Sequence, residues 1–262
     1  MLGVLRRLAR RVLAFLRPRR APQPATGGAI RVPSAPRVWS LPAWLVALRT
    51  RLFTSAAAFG TVAFGALTWL VSAGHTAALD LAVAQGVQAV ENPLVGGLMT
   101  AVSEPGFAPL NVVLVVGTAG ALWALGHPLA AGLAVAAGGA AVLAIPLKLL
   151  LARPRPEADV VRVASNLPDY SFPSGHTLFY VAFFGFLAYL VYTRLRRGRL
   201  RTALLWLLGA LIVLVGPSRV YLGHHWPSDV LAAYTLGLAY LVLLVRLHTR
   251  QTVGRLAPAV GG

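Results

Sequence analysis

Cysteine is absent from the 262-residue chain, which excludes disulfides and thiolate chemistry and leaves the redox compartment unread. Charge is scarce as well. Only 12% of residues are charged against 57% hydrophobic, and mean hydropathy is +0.71. Soluble domains run nearer ~45–50% apolar, and so few charged residues cannot cover a water-facing surface. A soluble fold is excluded, and the chain reads as membrane-embedded. Acids number seven against 24 basic residues, a net charge of +17. Lysine is almost missing: Lys148 is the single lysine among those 24.

The basic excess would ordinarily suggest nucleic acid or an acidic surface, but its distribution has a topological explanation. Residues 1–20 hold no acid, and Arg6, Arg7, Arg10, Arg11 and Arg17 fall opposite Leu2, Leu5, Leu8, Val12, Phe15 and Leu16 on a helical projection. That pattern predicts a helix lying in the interface with arginines on anionic headgroups. No secretory signal is expected there, because an uninterrupted apolar core is missing; an organellar transit peptide is the competing reading. Residues 18–42 are rich in Pro, Ala and Arg and read as a flexible linker.

Six apolar stretches of spanning or near-spanning length come next, near 52–73, 107–126, 128–150, 173–193, 202–218 and 229–247. Residues 76–92, with Asp80 and Glu91, read as a short surface helix. Residues 153–172 are polar and marked by proline. The expected architecture is an all-α integral membrane protein: a six-transmembrane-helix bundle over 43–250, an amphipathic N-terminal extension over 1–42 and a cytoplasmic tail over 251–262. With the amino terminus in the cytoplasm, 19 basic residues and no acid fall inside, while all seven acids fall outside. Only Lys148, Arg153, Arg155, Arg162 and Arg219 share the acids' side. By the positive-inside rule both termini are cytoplasmic, with the plasma membrane of a bacterium as the expected setting.

Positive charge on the outer side needs a local reason, and four of the five cations sit in three short segments. In the first, Lys148 ends the third span and Pro154 and Pro156 bias their predecessors out of the helix, so Arg155 is presented from a loop. A lysine point charge and an arginine fork suit two oxygens of one phosphate; alternatively Lys148 snorkels and the arginines bind headgroups. In the second, Pro173-Ser174-Gly175-His176 opens the fourth span. A helix N-terminus with serine and glycine makes an anion site, and histidine adds proton exchange near neutral pH. The third, Ser218-Arg219 through His224-His225 to Asp229, places a carboxylate four residues from an imidazole. The carboxylate would fix the ring tautomer and free the other nitrogen to attack; the same three residues could instead hold a metal, though the neighbouring arginines oppose a cation.

Together these segments resemble the type 2 phosphatidic acid phosphatase family, of the lipid phosphate phosphatase and haloperoxidase superfamily. The pattern is Lys, six residues, Arg-Pro; then Pro-Ser-Gly-His; then Ser-Arg, five residues, His, three residues, Asp. It is met by Lys148 with Arg155-Pro156, by Pro173 to His176, and by Ser218-Arg219 with His225 and Asp229. The resemblance covers about residues 50–247 and leaves the first 50 outside. It implies His225 as nucleophile, Asp229 as its orienting carboxylate and His176 as general acid. Lys148, Arg155, Ser174, the Gly175 N–H and Arg219 would hold phosphate oxygens. No metal and no cofactor is called for.

The expected function is metal-independent hydrolysis of a lipid phosphomonoester or diphosphate through a phosphohistidine, with phosphatidic acid, phosphatidylglycerol phosphate and undecaprenyl diphosphate all compatible. A phosphotransferase of the same superfamily and a non-catalytic lipid-phosphate binding or transport protein are the alternatives. Nucleic acid is not an expected partner, since no aromatic platform accompanies the arginines. Arg153 and Arg162 are read as contacts to a second phosphate or to headgroups. The motifs say nothing of oligomeric state.

Overall fold

A computed structural model describes the backbone of residues 43–254 and the side chains of residues 51–250. The expected amphipathic helix and linker over 1–42 lie outside the described residues, as does most of the tail over 251–262. The chain divides at Ser55 into two units. Of the first, only the opening of α1 is described; the second carries the rest of that helix and every later one.

All regular structure among the described residues is helical. Helix α1 is Ala43–Ser72, α2 is Ala77–Gln88 and α3 is Pro93–Ser103, followed by a 3-10 turn at Glu104–Gly106. Then come α4, Leu110–Ala124, and α5, Pro128–Gly138, which continues through a 3-10 turn at Gly139–Leu143 into α6, Ala144–Leu151. Helix α7, Gly175–Phe179, passes through a π-turn at Tyr180–Phe184 into α8, Gly185–Arg194. The last two are α9, Arg199–Tyr221, and α10, Pro227–Gly254. Several starts are written locally. Pro93 and Pro128 occupy first-turn positions where a missing N–H costs nothing. Asn92 caps α3 by accepting from the Leu94 N–H at 2.8 Å, and Ser174 caps α7.

Five helical stretches are long and apolar enough to cross a membrane: Arg51–Ser72, Pro128–Leu151, Gly175–Arg194, Arg199–Tyr221 and Pro227–Arg250. They make the chain an integral membrane protein and agree with the expected first, third, fourth, fifth and sixth stretches. The second expectation needs correction. The apolar run read as 107–126 is the second half of a broken pair, Pro93–Gly106 and Leu110–Ala124, bent by 54°. Pro105 and Pro109 interrupt the helical hydrogen bonding between the two halves, so the spans number five, or six with the bent pair counted as one.

The surface helix expected over 76–92 is also revised. Helix α2 forms, but Asp80, Ala84 and Gln88 recur every four residues along one face and that face is buried. Its apolar members pack with Val161, Val220 and Val230. Gln88 ties the helix down, its amide donating to the Arg162 carbonyl at 2.8 Å and the Tyr221 carbonyl at 3.0 Å. Helices α7, α9 and α10 pack about the π-turn, where Tyr180 and Phe183 are fully enclosed, as is Phe186 just beyond it. Gathered at the same end of the bundle are the turn after α1, the elbow between α3 and α4, the polar segment 152–174 and the turn between α9 and α10.

Candidate active site

The polar segment begins where α6 stops. Ala152 adopts a left-handed conformation (φ 44°) and its N–H bonds the Lys148 carbonyl at 2.9 Å. This conformation costs an L-residue about 1–2 kcal/mol, and with Pro154 and Pro156 following, the chain leaves the helix axis. Arg153 and Arg155 thereby project in different directions.

Arg155 turns toward the turn between α9 and α10. Its Nη1 donates to the His224 carbonyl and lies 3.3 Å from His225 Nε2. A guanidinium has only donors, so this contact requires an unprotonated Nε2. The proton of a neutral His225 therefore resides on Nδ1, which faces Asp229 Oδ2 at 3.5 Å. That separation is wider than a formed hydrogen bond, and the His225 Nδ1 is buried without a partner. Burial, then the charges of Arg155, Arg219 and Lys148, push the His225 imidazole well below its ordinary value. The ring is held neutral with its unprotonated Nε2 toward Arg155.

Arg219 is the least ordinary residue in the molecule. It is 0% exposed and, among the described residues, has no ion-pair partner. Its Nη1 donates to Ser103 Oγ at 2.6 Å, and its guanidinium carbon sits 5.0 Å from the centre of the Phe107 ring. The other edge, Nε and Nη2, is buried and unsatisfied. Those two N–H groups form the fork that binds an oxyanion in bidentate fashion. An unpaired buried cation costs several kcal/mol, so the geometry presumes an anion. His176 points at the same space: its Nε2 is buried without a partner and its ring packs edge-on against Phe107 at 4.3 Å.

Ser174 is wholly buried, and its Oγ accepts from Thr177 Oγ1 at 3.1 Å and Thr177 N at 3.4 Å, leaving its hydroxyl proton for a ligand. Its own N–H reaches the Asp229 carbonyl at 3.3 Å, which joins the second motif to the third. The N–H of Gly175 belongs to the first turn, which a helix cannot satisfy internally. Lys148 is mostly buried, with its Nζ 2.8 Å from Asp169 Oδ2 and donating to the Tyr170 carbonyl.

All eight expected site residues thus converge at one end of the bundle. The second-phosphate reading of Arg153 and Arg162 is not supported by their positions. Arg153 faces away from the cup: its Nη1 lies 2.5 Å from Asp229 Oδ1 and its Nη2 2.7 Å from Asp80 Oδ2. Arg162 is bound to the Gln88 carbonyl, reaches Glu91 at 3.6 Å and stacks over Tyr221. Neither guanidinium is free for a second phosphate.

Several contributors were not legible. Asp80, 3% exposed, accepts from Ser228 N and Oγ at 2.8 and 2.7 Å as well as from Arg153. Its signal was the acid at the head of the 80, 84, 88 face. Phe107 and Ser103 come from the elbow whose helical first half went unread. A Cβ at Gly106 would collide with His176 Cδ2, so only glycine admits the imidazole. Gly223, with φ 68°, similarly lets the turn before His224 pass the Arg162 carbonyl, which a Cβ there would overlap.

His224 hydrogen-bonds Ser165 Oγ through Nε2 at 2.9 Å; burial, then Arg219 and Arg155, push it down to about 4. Asp229 is engaged by Arg153 rather than by both histidines. Among the described residues, no three His, Asp or Glu side chains gather as metal ligands.

Fold and site together define a helical membrane protein with a buried oxyanion cup beside a neutral, carboxylate-backed imidazole. Comparison with known proteins places that arrangement. Residues 128–252 match the PAP2 superfamily, in keeping with the family the motifs resemble. The chain is 36% identical over 100 residues to phosphatidylglycerophosphatase B of Bacillus subtilis strain 168, covering 37% of this chain and 47% of that protein. It is 35% identical over 89 residues to undecaprenyl-diphosphatase of Sulfolobus acidocaldarius, covering 34% and 38%. The matches therefore span less than half the length of either relative. Among solved structures, the transmembrane PAP2 type phosphatidylglycerolphosphate phosphatase of Bacillus subtilis shares the fold, with a TM-score of 0.67 over 74% of this chain and 96% of that one, at 23% identity.

Proposed function

We propose that the chain is a membrane lipid phosphatase that hydrolyses a lipid phosphomonoester or diphosphate through a phosphohistidine on His225. The observation that carries this is the pair of unpartnered groups in one buried space: the Arg219 Nε–Nη2 edge and the His176 Nε2, beside a His225 whose Nε2 is the unprotonated nitrogen. His225 Nε2 attacks phosphorus while the bond to the lipid oxygen breaks, and His176 delivers the proton that oxygen requires. Water then attacks phosphorus and gives a proton to His176 while the phosphorus–nitrogen bond breaks, which releases phosphate and restores the His225 ring. Lys148, Arg155, Arg219, the Ser174 hydroxyl and the Gly175 N–H stabilise the charge on the equatorial oxygens, which is most of what phosphoryl transfer demands. Three cations supply that charge without a metal, so activity should survive excess EDTA.

The relatives' names, phosphatidylglycerophosphatase and undecaprenyl-diphosphatase, support phosphatidylglycerol phosphate and undecaprenyl diphosphate as candidates, with phosphatidic acid beside them. A cavity of about 450 Å³ reaches Arg155 from the side of Arg153 and Asp80, lined by Val71, Leu81, Pro154 and Trp226 together with Glu157 and Asp159. The same site with a lipid hydroxyl in place of water would be a phosphotransferase, and comparing released phosphate with phospholipid product separates the two. A non-catalytic binding protein would not need His176, His225 and Asp229 together.

For topology, counting the bent pair as one broken span gives six and returns both termini to one side. That arrangement puts the 19 inner basic residues in the cytoplasm and the cup on the extracytoplasmic face of a plasma membrane. Residues 1–42 would sit on anionic headgroups, and their deletion should leave turnover largely intact. The deciding experiment is phosphate release from the three lipids by purified protein in detergent micelles, beside His225→Ala. Native release from any of the three and none from the variant is expected; release unchanged by the substitution overturns the mechanism.

A further inference from the structure

Two of the cup's cations already hold an anion. Asp169 places Oδ2 2.8 Å from Lys148 Nζ and Oδ1 2.5 Å from Arg155 Nη2. Its side chain is 53% exposed, whereas those of Lys148 and Arg155 are 11% and 13% exposed. Water thus reaches the carboxylate from one side and the cations meet it from the other. Asp169 belongs to none of the three motif segments and lies in the polar stretch between α6 and α7.

The backbone around it matters equally. Lys148 Nζ also donates to the Tyr170 carbonyl, and Arg155 Nε donates to the Asp169 carbonyl at 2.8 Å. Both cations are therefore anchored to main chain that stays in place if the carboxylate swings outward. Although burial opposes ionisation, hydrogen bonds from Lys148 and Arg155 hold the Asp169 carboxyl down to about 2, so it is charged at any working pH.

Resting on the reading of the cup as a lipid-phosphate site, we propose that Asp169 is its resident anion: a displaceable carboxylate that sets which phosphates enter. A membrane surface is crowded with phosphodiester headgroups, each carrying one negative charge on the phosphate. A cup with three uncompensated cations would bind them and be blocked. With Asp169 seated, a monoanionic phosphodiester exchanges one single charge for another and gains little. A dianionic phosphomonoester or a diphosphate brings more charge than the carboxylate it displaces, so it enters. Asp169 is on this account a specificity-determining residue, and the substrate binds the carboxylate-out form alone. Apparent affinity is then lowered by the fraction of protein in that form.

The test compares native protein with Asp169→Asn and Asp169→Glu in mixed micelles. Hydrolysis of a phosphomonoester lipid is titrated with phosphatidylglycerol as phosphodiester inhibitor, and the thermal midpoint is followed against inorganic phosphate. Asp169→Asn should lower KM and strengthen inhibition by phosphatidylglycerol, each by about three- to tenfold, given the modest worth of half-exposed ion pairs. It should also reach a given phosphate-induced thermal shift at a correspondingly lower concentration. Asp169→Glu, which keeps the charge, should restore native inhibition. Equal inhibition constants in native protein and Asp169→Asn would overturn the proposal. So would a loss of kcat in the asparagine variant with KM unchanged, which marks a structural role. The phosphate-induced shift requires no turnover. If native protein cleaves no lipid tested, the reading of the reaction fails, while the difference in phosphate affinity still decides the role of Asp169.

Discussion

Arg153 and Asp229, 76 residues apart, form a buried ion pair at 2.5 Å, and Asp80 grips the other arm of the same guanidinium at 2.7 Å. The carboxylate behind His225 is thereby fixed from the side away from the imidazole. Its second oxygen accepts from the Trp226 N–H at 2.9 Å and faces His225 Nδ1. Arg153→Lys or Asp80→Asn should therefore misplace Asp229 without touching the phosphate ligands. We expect kcat to fall about ten- to a hundredfold, the scale of supporting-group losses, with KM and the phosphate-induced thermal shift retained. Michaelis kinetics in micelles would measure this, and a rise in KM alone would contradict it.

The two imidazoles should separate by the step each serves. His225→Ala removes the attacking nitrogen and should abolish both turnover and any acid-labile phosphoenzyme. His176→Asn keeps the nucleophile but loses the proton donor, a role worth roughly 10²–10⁴-fold. Rapid-quench labelling with radioactive substrate distinguishes them, and a phosphoenzyme formed by His225→Ala would sink the assignment.

Arg219→Lys exchanges a planar fork for a point charge in a fully buried position. The loss of oriented donors should lower kcat by about 10²–10³. Ser103→Ala, which removes only the hydroxyl that steadies Arg219 Nη1, should give a smaller loss in the same direction. Parallel kcat measurements decide the order.

Gly106→Ala probes the elbow. The added methyl would overlap His176 Cδ2, and overpacking of this kind costs about 1–3 kcal/mol. A lower thermal midpoint and a reduced kcat are expected, and Gly97→Ala, where a Cβ meets nothing within 4 Å, serves as the control.

Acid should weaken the ligand-free protein. His224 and His225 both have folded values below the ordinary 6.5, so between those values and 6.5 the unfolded chain binds more protons than the native one. Stability then rises with pH: it is complete above 6.5 and lost as pH falls through the range down to about 4 for His224. Arg219 and Arg155 face both rings, and Lys148 faces His225, so added inorganic phosphate should blunt the loss by offsetting those charges. Thermal midpoints from about pH 7.5 to about 4.5, with and without phosphate, test this; a flat profile without phosphate would refute it.

Composition alone excluded a soluble fold, and long apolar runs located the five spanning stretches because a helix in lipid must satisfy its own backbone. The eight candidate site residues were picked out by the family motifs they resemble, and only the fold shows that they converge. The broken pair was not legible as one unit. Pro105 and Pro109 split its pattern, and only packing of α3 against α9 shows where the first half goes. Arg153 was misread for a related reason: the sequence offers the charge but not its direction, which the left-handed turn at Ala152 sets.

Sequence by itself determined that this is a helical membrane protein and how its charge is sorted along the chain. These properties follow from local periodicity and from the transfer energetics of individual side chains. Tertiary structure decided which cation meets which carboxylate: Arg153 with Asp80 and Asp229, Lys148 and Arg155 with Asp169, and Arg219 with none among the described residues. Ion pairing depends on distances of a few ångströms between segments far apart along the chain, and no one-dimensional pattern encodes those distances.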